Sequence, residues 1–137
     1  MVIDTSALIA ILQDEPERRS FNLAIESAET CLLSAVSFVE TSLVIETRVG
    51  GDGIRDLDLF VAKADINIEP VDTDQAYVAR QAYSQYGKGR HPAGLNFGDC
   101  FTYALAKLSG EPLLFKGYDF SKTDLDIVSV PGPGQQG

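Results

Sequence analysis

The chain has 137 residues, 45% of them hydrophobic and 23% charged, and a formal net charge of −9. That length and apolar content suffice for one domain folding around a single core without disulfides or a structural metal, and no apolar run approaches the roughly 20 residues that a bilayer span requires. The acidic balance argues against general electrostatic attachment to nucleic acid, since a duplex carries one negative charge per ~1.7 Å, a tension that eases if many of the acids gather at a metal site, and it implies a basic or neutral partner.

Val2-Ile3 reads as a short apolar strand ending at Asp4, with a helix over residues 6–12 directly behind it. No basic segment precedes an apolar stretch at the start, so nothing resembles a signal peptide, and a cytoplasmic protein with no membrane segment is expected. Glu15-Pro16-Glu17 marks a second helix start with proline in the first turn, followed by Phe21, Ala24, Ile25 and Ala28 at helical spacing. Cys31-Leu32-Leu33 is the next strand. Ser37-Phe38-Val39-Glu40 matches the S-x-x-E capping box and predicts a helix start there, with Leu43, Val44 and Thr47 carrying the helix to Gly50-Gly51.

Ile54, Leu57, Phe60 and Val61 predict a fourth helix, and residues 66–71 alternate as a strand does. Asp72-Thr73-Asp74 caps a fifth helix, whose Tyr77, Tyr83 and Tyr86 lie close to one face and are expected in the core. Gly87 stops that helix, and residues 88–95 form a polar loop that carries Arg90 and the only histidine, His91. Asn96 caps a sixth helix with Phe97, Phe101, Ala104, Leu105 and Leu108 running to Gly110. Residues 112–115 read as a buried strand just before Gly117-Tyr118-Asp119, and residues 127–130 as a last strand. Cys31 and Cys100 lack CxxC spacing and read as small core fillers. Residues 131–137 are expected to be a disordered tail, which leaves one domain over residues 1–130. Strands alternating with helices predict an α/β fold with a mostly parallel sheet flanked by helices on both faces.

In such a sheet the chemistry gathers at the strand C-termini. Asp4 and Asp119 each follow a strand, while Glu40 and Asp99 stand near helix starts behind strands, so all four carboxylates are expected at one edge. Carboxylates crowded together raise one another's pKa unless a cation neutralises them. Oxygen donors with a single histidine and no thiolate pattern favour Mg²⁺ or Mn²⁺ over Zn²⁺. Phosphodiester hydrolysis is the chemistry this implies, because a divalent ion supplies it without a nucleophilic side chain. Each acid also has a plain reading: Glu40 three residues after Ser37, and Asp99 three after Asn96, are where helix caps want an acid. Asp4 and Asp119 are likewise possible caps, so the chemistry rests on the whole set.

Val2-Ile3-Asp4-Thr5-Ser6-Ala7-Leu8, Glu40, Leu95-Asn96-Phe97-Gly98-Asp99-Cys100 and Leu114-Phe115-Lys116-Gly117-Tyr118-Asp119-Phe120 together resemble the VapC branch of the PIN-domain family, from residue 1 to about 130. The resemblance implies the PIN-domain fold and a metal-dependent ribonuclease that acts as the toxin of a toxin–antitoxin pair. It further implies RNA as substrate, a VapB-like antitoxin as partner, and a homodimer. By position, Asp4 and Asp99 correspond to the closest metal ligands, Glu40 to an acid holding the ion directly or through water, and Asp119 to the more variable fourth acid. Asp124 competes for that fourth place, with Asp119 favoured because it lies nearer the strand end. Thr5 and Ser6 either start the helix or hydrogen-bond Asp4 or a phosphate, and Asn96 adds a possible contact to its cap role.

Two alternatives stand beside this. An aspartyl phosphotransferase would use Asp4 as nucleophile, but haloacid-dehalogenase-like enzymes need a second Asp two residues on, where this chain has Ser6. A catalytically inactive PIN-like module, binding RNA or protein, is disfavoured by the presence of all four acids.

Overall fold

A computed structural model describes residues 1–132 and contains four strands and six α-helices. In chain order these are β1 (Val2–Ile3), α1 (Thr5–Leu12), α2 (Arg18–Ser27), β2 (Cys31–Ser34), α3 (Ala35–Val49), α4 (Gly51–Lys63), β3 (Ile66–Glu69), α5 (Thr73–Tyr86), α6 (Phe97–Ser109) and β4 (Leu113–Leu114). The sheet has the order β3-β2-β1-β4, and every pairing is parallel. All strands therefore end at one edge. Chain progress reverses at the β1/β4 boundary, the kind of switch point at which open α/β sheets leave a crevice.

Because successive strand residues face opposite sides, Val2 and Leu113 enter one core while Ile3 and Leu114 enter the other. The first core gathers Leu95, Tyr103, Ala104, Leu105 and Phe120 from α6 and the loops beside it, with Ala79, Ala82 and Tyr86 from α5. The second gathers Leu8, Ala10 and Ile11 of α1, Phe21 and Ile25 of α2, and Leu33 and Ile66 of the neighbouring strands. Burying Leu8, Leu33, Leu95, Leu113 and Leu114 almost completely contributes about 1.5–3 kcal/mol each.

The structure shifts several expectations. The α3 helix starts at Ala35, capped by Ser34, whose hydroxyl accepts from the Val36 N–H. Ser37 and Glu40 therefore lie inside the helix, and the predicted capping box is not formed. Strand β2 ends in a cap residue of its own, so the helix begins one turn earlier than the motif indicated. Tyr86 is buried, but Tyr77 and Tyr83 are exposed, so the tyrosine set does not share one buried face. The loop over residues 88–95 is more than a polar connection, because Ala93 and Leu95 are completely buried and Leu95 bridges to Gly87. Residues 127–130 form no strand; Ile127 makes one isolated parallel bridge to Leu113 in the two-residue strand β4. Both cysteines are buried free thiols. At the tail, the Pro131 carbonyl accepts from the Ser20 hydroxyl at 2.8 Å, and residues 133–137 lie outside the described residues.

Candidate active site

The backbone delivers Asp4 to the sheet edge directly. It caps α1, and it is 4% exposed. Oδ2 accepts from the Ser6 N–H at 3.0 Å and the Ser6 hydroxyl at 2.7 Å, while Oδ1 accepts from the Thr102 hydroxyl at 2.9 Å. A carboxylate this buried needs such donors. Ser6 also accepts from the Lys116 N–H at 2.9 Å, which ties the end of β4 to Asp4. The Lys116 ammonium itself turns to Glu15 and Glu17, at 2.6 and 3.3 Å.

Thr5 serves the second acid rather than Asp4: its hydroxyl donates to Glu40 Oε1 at 2.8 Å. Glu40 projects from the second turn of α3 across to the start of α6, where it lies against Gly98. Asn96 and Asp99 form a reciprocal capping box on α6, with Asp99 Oδ2 accepting from the Asn96 N–H at 3.0 Å. Asn96 thus performs the cap role expected of it. Only one Asp99 oxygen is used in this way, so the other remains available.

Burial, followed by the negative charges of Asp4, Glu40 and Asp119, pushes the Asp99 carboxyl up to about 7 against the Asn96 N–H that favours its charged form. Asp4, Glu40 and Asp119 are each within electrostatic reach of Asp99. Asp119 arrives on the turn after β4, where Gly117 has a φ of 111°, a conformation closed to other residues. Asp119 is exposed and makes no cap hydrogen bond to the 3₁₀ turn over Phe120–Lys122 that follows it.

Asp124 is drawn elsewhere. It accepts from the Lys107 ammonium at 2.6 Å and from the Tyr103 hydroxyl at 2.6 Å, and these two donors hold its pKa below the ordinary carboxylate range. Arg90 lies over the Tyr83 ring and His91 packs edge-on against Tyr86, so both turn to α5. The sequence reading missed Thr102, Ser37 and Gly98. Thr102 was detectable as a hydroxyl one helical turn after Asp99 within an apolar run, and Gly98 as a glycine inside a capped first turn.

Among the described residues, no three carboxylate, imidazole or thiol groups stand close enough together to grip one ion directly. The donor chemistry nonetheless suits a hard divalent cation: every acid offers oxygen, and burial together with the neighbouring negative charges raises Asp99 in a way that a cation would relieve. Mg²⁺ commonly keeps several waters and takes only one or two carboxylates directly, so widely set acids are compatible with it.

The PIN domain family matches residues 1–125. The chain is 56% identical over 131 residues to Ribonuclease VapC30 of Mycobacterium tuberculosis, covering 96% of this chain and 100% of that relative. Among solved structures it resembles VapC20 of Mycobacterium tuberculosis, described as a Sarcin-Ricin loop cleaving toxin, with a TM-score of 0.77 at 16% identity over 95% of this chain and 98% of that one. It also resembles VapBC2 from Rickettsia felis, bound to a DNA fragment from their promoter, with a TM-score of 0.73 at 13% identity over 95% and 98% of the two chains.

Proposed function

This chain belongs to the PIN domain family, and from that membership we propose that it is a ribonuclease toxin of a toxin–antitoxin module, hydrolysing RNA phosphodiester bonds. The observation that carries the reading is that Asp4, Glu40 and Asp119 all lie within electrostatic reach of Asp99, whose carboxyl is pushed up to about 7 by burial first and by these charges after it. The near-full-length identity to a curated VapC ribonuclease supports the same activity.

Asp4, Asp99, Glu40 and Asp119 would hold Mg²⁺ or Mn²⁺. When bound, the ion supplies Lewis acidity toward the phosphate and a nucleophilic water. The chain's own residues supply the rest. Ser6 and Thr102 fix both oxygens of Asp4, Thr5 fixes one oxygen of Glu40, and the Asn96 N–H fixes one oxygen of Asp99. Asp4, Glu40 and Asp99 thus keep a set orientation with no basic side chain spent on them.

A VapB-like antitoxin is the proposed silencing partner, supported by the likeness to a toxin solved within a VapBC assembly. A homodimer is the proposed assembly. Tyr83 and Phe97 are exposed and line a largely apolar hollow between α5 and α6, a face suited to a second copy. A monomeric mass in sedimentation equilibrium at micromolar concentration would count against it. The cytoplasm, where RNA and antitoxin meet, is the compartment that goes with this reading.

The test is cleavage of labelled single-stranded RNA with Mg²⁺, with Mn²⁺ and with EDTA, alongside Asp4→Asn. Activity should vanish in EDTA and in the variant. Cleavage persisting in either would overturn the metal mechanism, and a phosphorylated Asp4 would favour an aspartyl phosphotransferase.

A further inference from the structure

We propose that Thr102 and Ser37 are positioning residues that aim Asp4, a role that rests on the acid cleft being the metal-dependent nuclease site. The observation is a chain of buried hydroxyls. Ser37 is 0% and Thr102 1% exposed, and their hydroxyl oxygens lie 2.9 Å apart. Thr102 Oγ1 is also 2.9 Å from Asp4 Oδ1.

The direction of this chain follows from proton counting. An ionised carboxylate only accepts, and a threonine hydroxyl has one proton. Thr102 therefore donates to Asp4, so Ser37 donates to Thr102. The arrangement runs Ser37 to Thr102 to Asp4, and it presents the Asp4 oxygen with a donor already held in place.

Helix geometry shows why these two residues fill the role. Ser37 stands three residues before Glu40 on α3, and Thr102 three residues after Asp99 on α6, so each hydroxyl shares a face with an acid of its own helix. The Ser37–Thr102 contact joins the two helices beneath the acids. Thr41 donates to the Ser37 backbone carbonyl at 2.7 Å, a bond within α3 that leaves the Ser37 hydroxyl to Thr102. The result is that three acids from α1's cap, α3 and α6 are referenced to one another through neutral groups. A lysine or arginine in the same place would occupy the charge that a metal cation needs, whereas hydroxyls orient the carboxylate and leave its charge uncompensated.

Three variants test this: Thr102→Val, which keeps shape and removes the hydroxyl, Thr102→Ser, which restores it, and Ser37→Ala, which removes only the first link. Mn²⁺ affinity is measured by calorimetry and RNA cleavage by kcat and KM, with thermal unfolding followed alongside. Thr102→Val is expected to weaken Mn²⁺ binding about 10–100-fold, the usual cost of losing a partner that orients a metal ligand, and to lower kcat with KM little changed. Thr102→Ser should return to within about threefold of wild type, and Ser37→Ala should fall between, because Thr102 still donates to Asp4.

A folded Thr102→Val protein that binds Mn²⁺ and cleaves like wild type overturns the proposal, as does a Thr102→Ser protein as impaired as Thr102→Val. If Thr102→Val does not fold, Ser37→Ala decides: reduced Mn²⁺ affinity supports the role and wild-type affinity overturns it. A wild-type protein that neither binds Mn²⁺ nor cleaves RNA removes the site reading and this proposal together, whereas an active wild type with unaffected variants removes this proposal alone.

Discussion

Glu40 rests against the bare Cα of Gly98, so that a Cβ built there would meet the Glu40 carboxylate, with Oε1 and Cδ at only 2.8 Å. Glycine at this point in the first turn of α6 is what lets an acid from α3 reach the cleft. Gly98→Ala should therefore displace Glu40 and reduce cleavage by about 10-fold or more, since a misplaced group of about 1 Å can cost two orders of magnitude. The helix itself should benefit from alanine, by up to about 1 kcal/mol. Thermal unfolding should thus show little loss while activity falls, and a variant with wild-type cleavage would mean that Glu40 need not occupy this place.

Asp119 and Asp124 should separate cleanly. Asp119 is exposed and makes no cap hydrogen bond, yet its charge acts on Asp99. Asp124 fastens the segment after it onto α6 through Lys107 and Tyr103. Asp119→Asn is expected to lose cleavage with Tm unchanged. Asp124→Asn should retain most cleavage and lose about 2–5 °C in Tm. Because Asp124's pKa is depressed in the folded state, its stabilisation is present above the ordinary carboxylate range and fades as pH falls through the depressed value. The Tm difference between wild type and Asp124→Asn should therefore shrink in acid, and an opposite pattern of activities would exchange the two roles.

The strand-then-acid arrangement at Asp4 and the Asn96/Asp99 capping box could be read from sequence because each depends on neighbours within a few residues. Ser37 shows where that stops. Its S-x-x-E spacing satisfied a local capping rule, but the hydroxyl is committed to Thr102, 65 residues away, and Ser34 supplies the actual cap. Sequence spacing cannot register a partner on another helix. The same holds for the fourth acid: nearness to β4 favoured Asp119 over Asp124, but the contacts that draw Asp124 to Lys107 and Tyr103 could not be read from spacing. The expected strand over residues 127–130 is reduced to the single Ile127–Leu113 bridge on the outer side of β4, whose other side pairs with β1.

Thiol chemistry should report on opening of the core. Cys31 and Cys100 are both buried, and burial, with Asp99's charge added, pushes the Cys100 thiol up to about 11. The thiolate is the reactive form, so native protein at neutral pH should resist a disulfide-exchange reagent, and denatured protein should react at both sites. Rapid labelling of native Cys100 would show that the first turn of α6 opens readily beside the acids.

The last prediction concerns Asp99 and pH. Its folded-state carboxyl sits near 7, well above the ordinary value of 3.8, so between these values the folded protein holds a proton that the unfolded chain releases. Stability from this group is fully present below about 4 and is lost as pH rises toward 7. Other carboxylates contribute slopes of their own, which is why the comparison must be with Asp99→Asn, where the amide oxygen can still accept from the Asn96 N–H. In EDTA, the wild-type Tm should decline relative to Asp99→Asn by several degrees between pH 4 and pH 8. Millimolar Mn²⁺ should recover that loss at pH 8 in the wild type by binding only the folded state, and should do little for the variant. Parallel curves in EDTA would mean that burial and the charges of Asp4, Glu40 and Asp119 do not strain Asp99 in the metal-free protein, and an equal Mn²⁺ response in both proteins would move the ion away from Asp99.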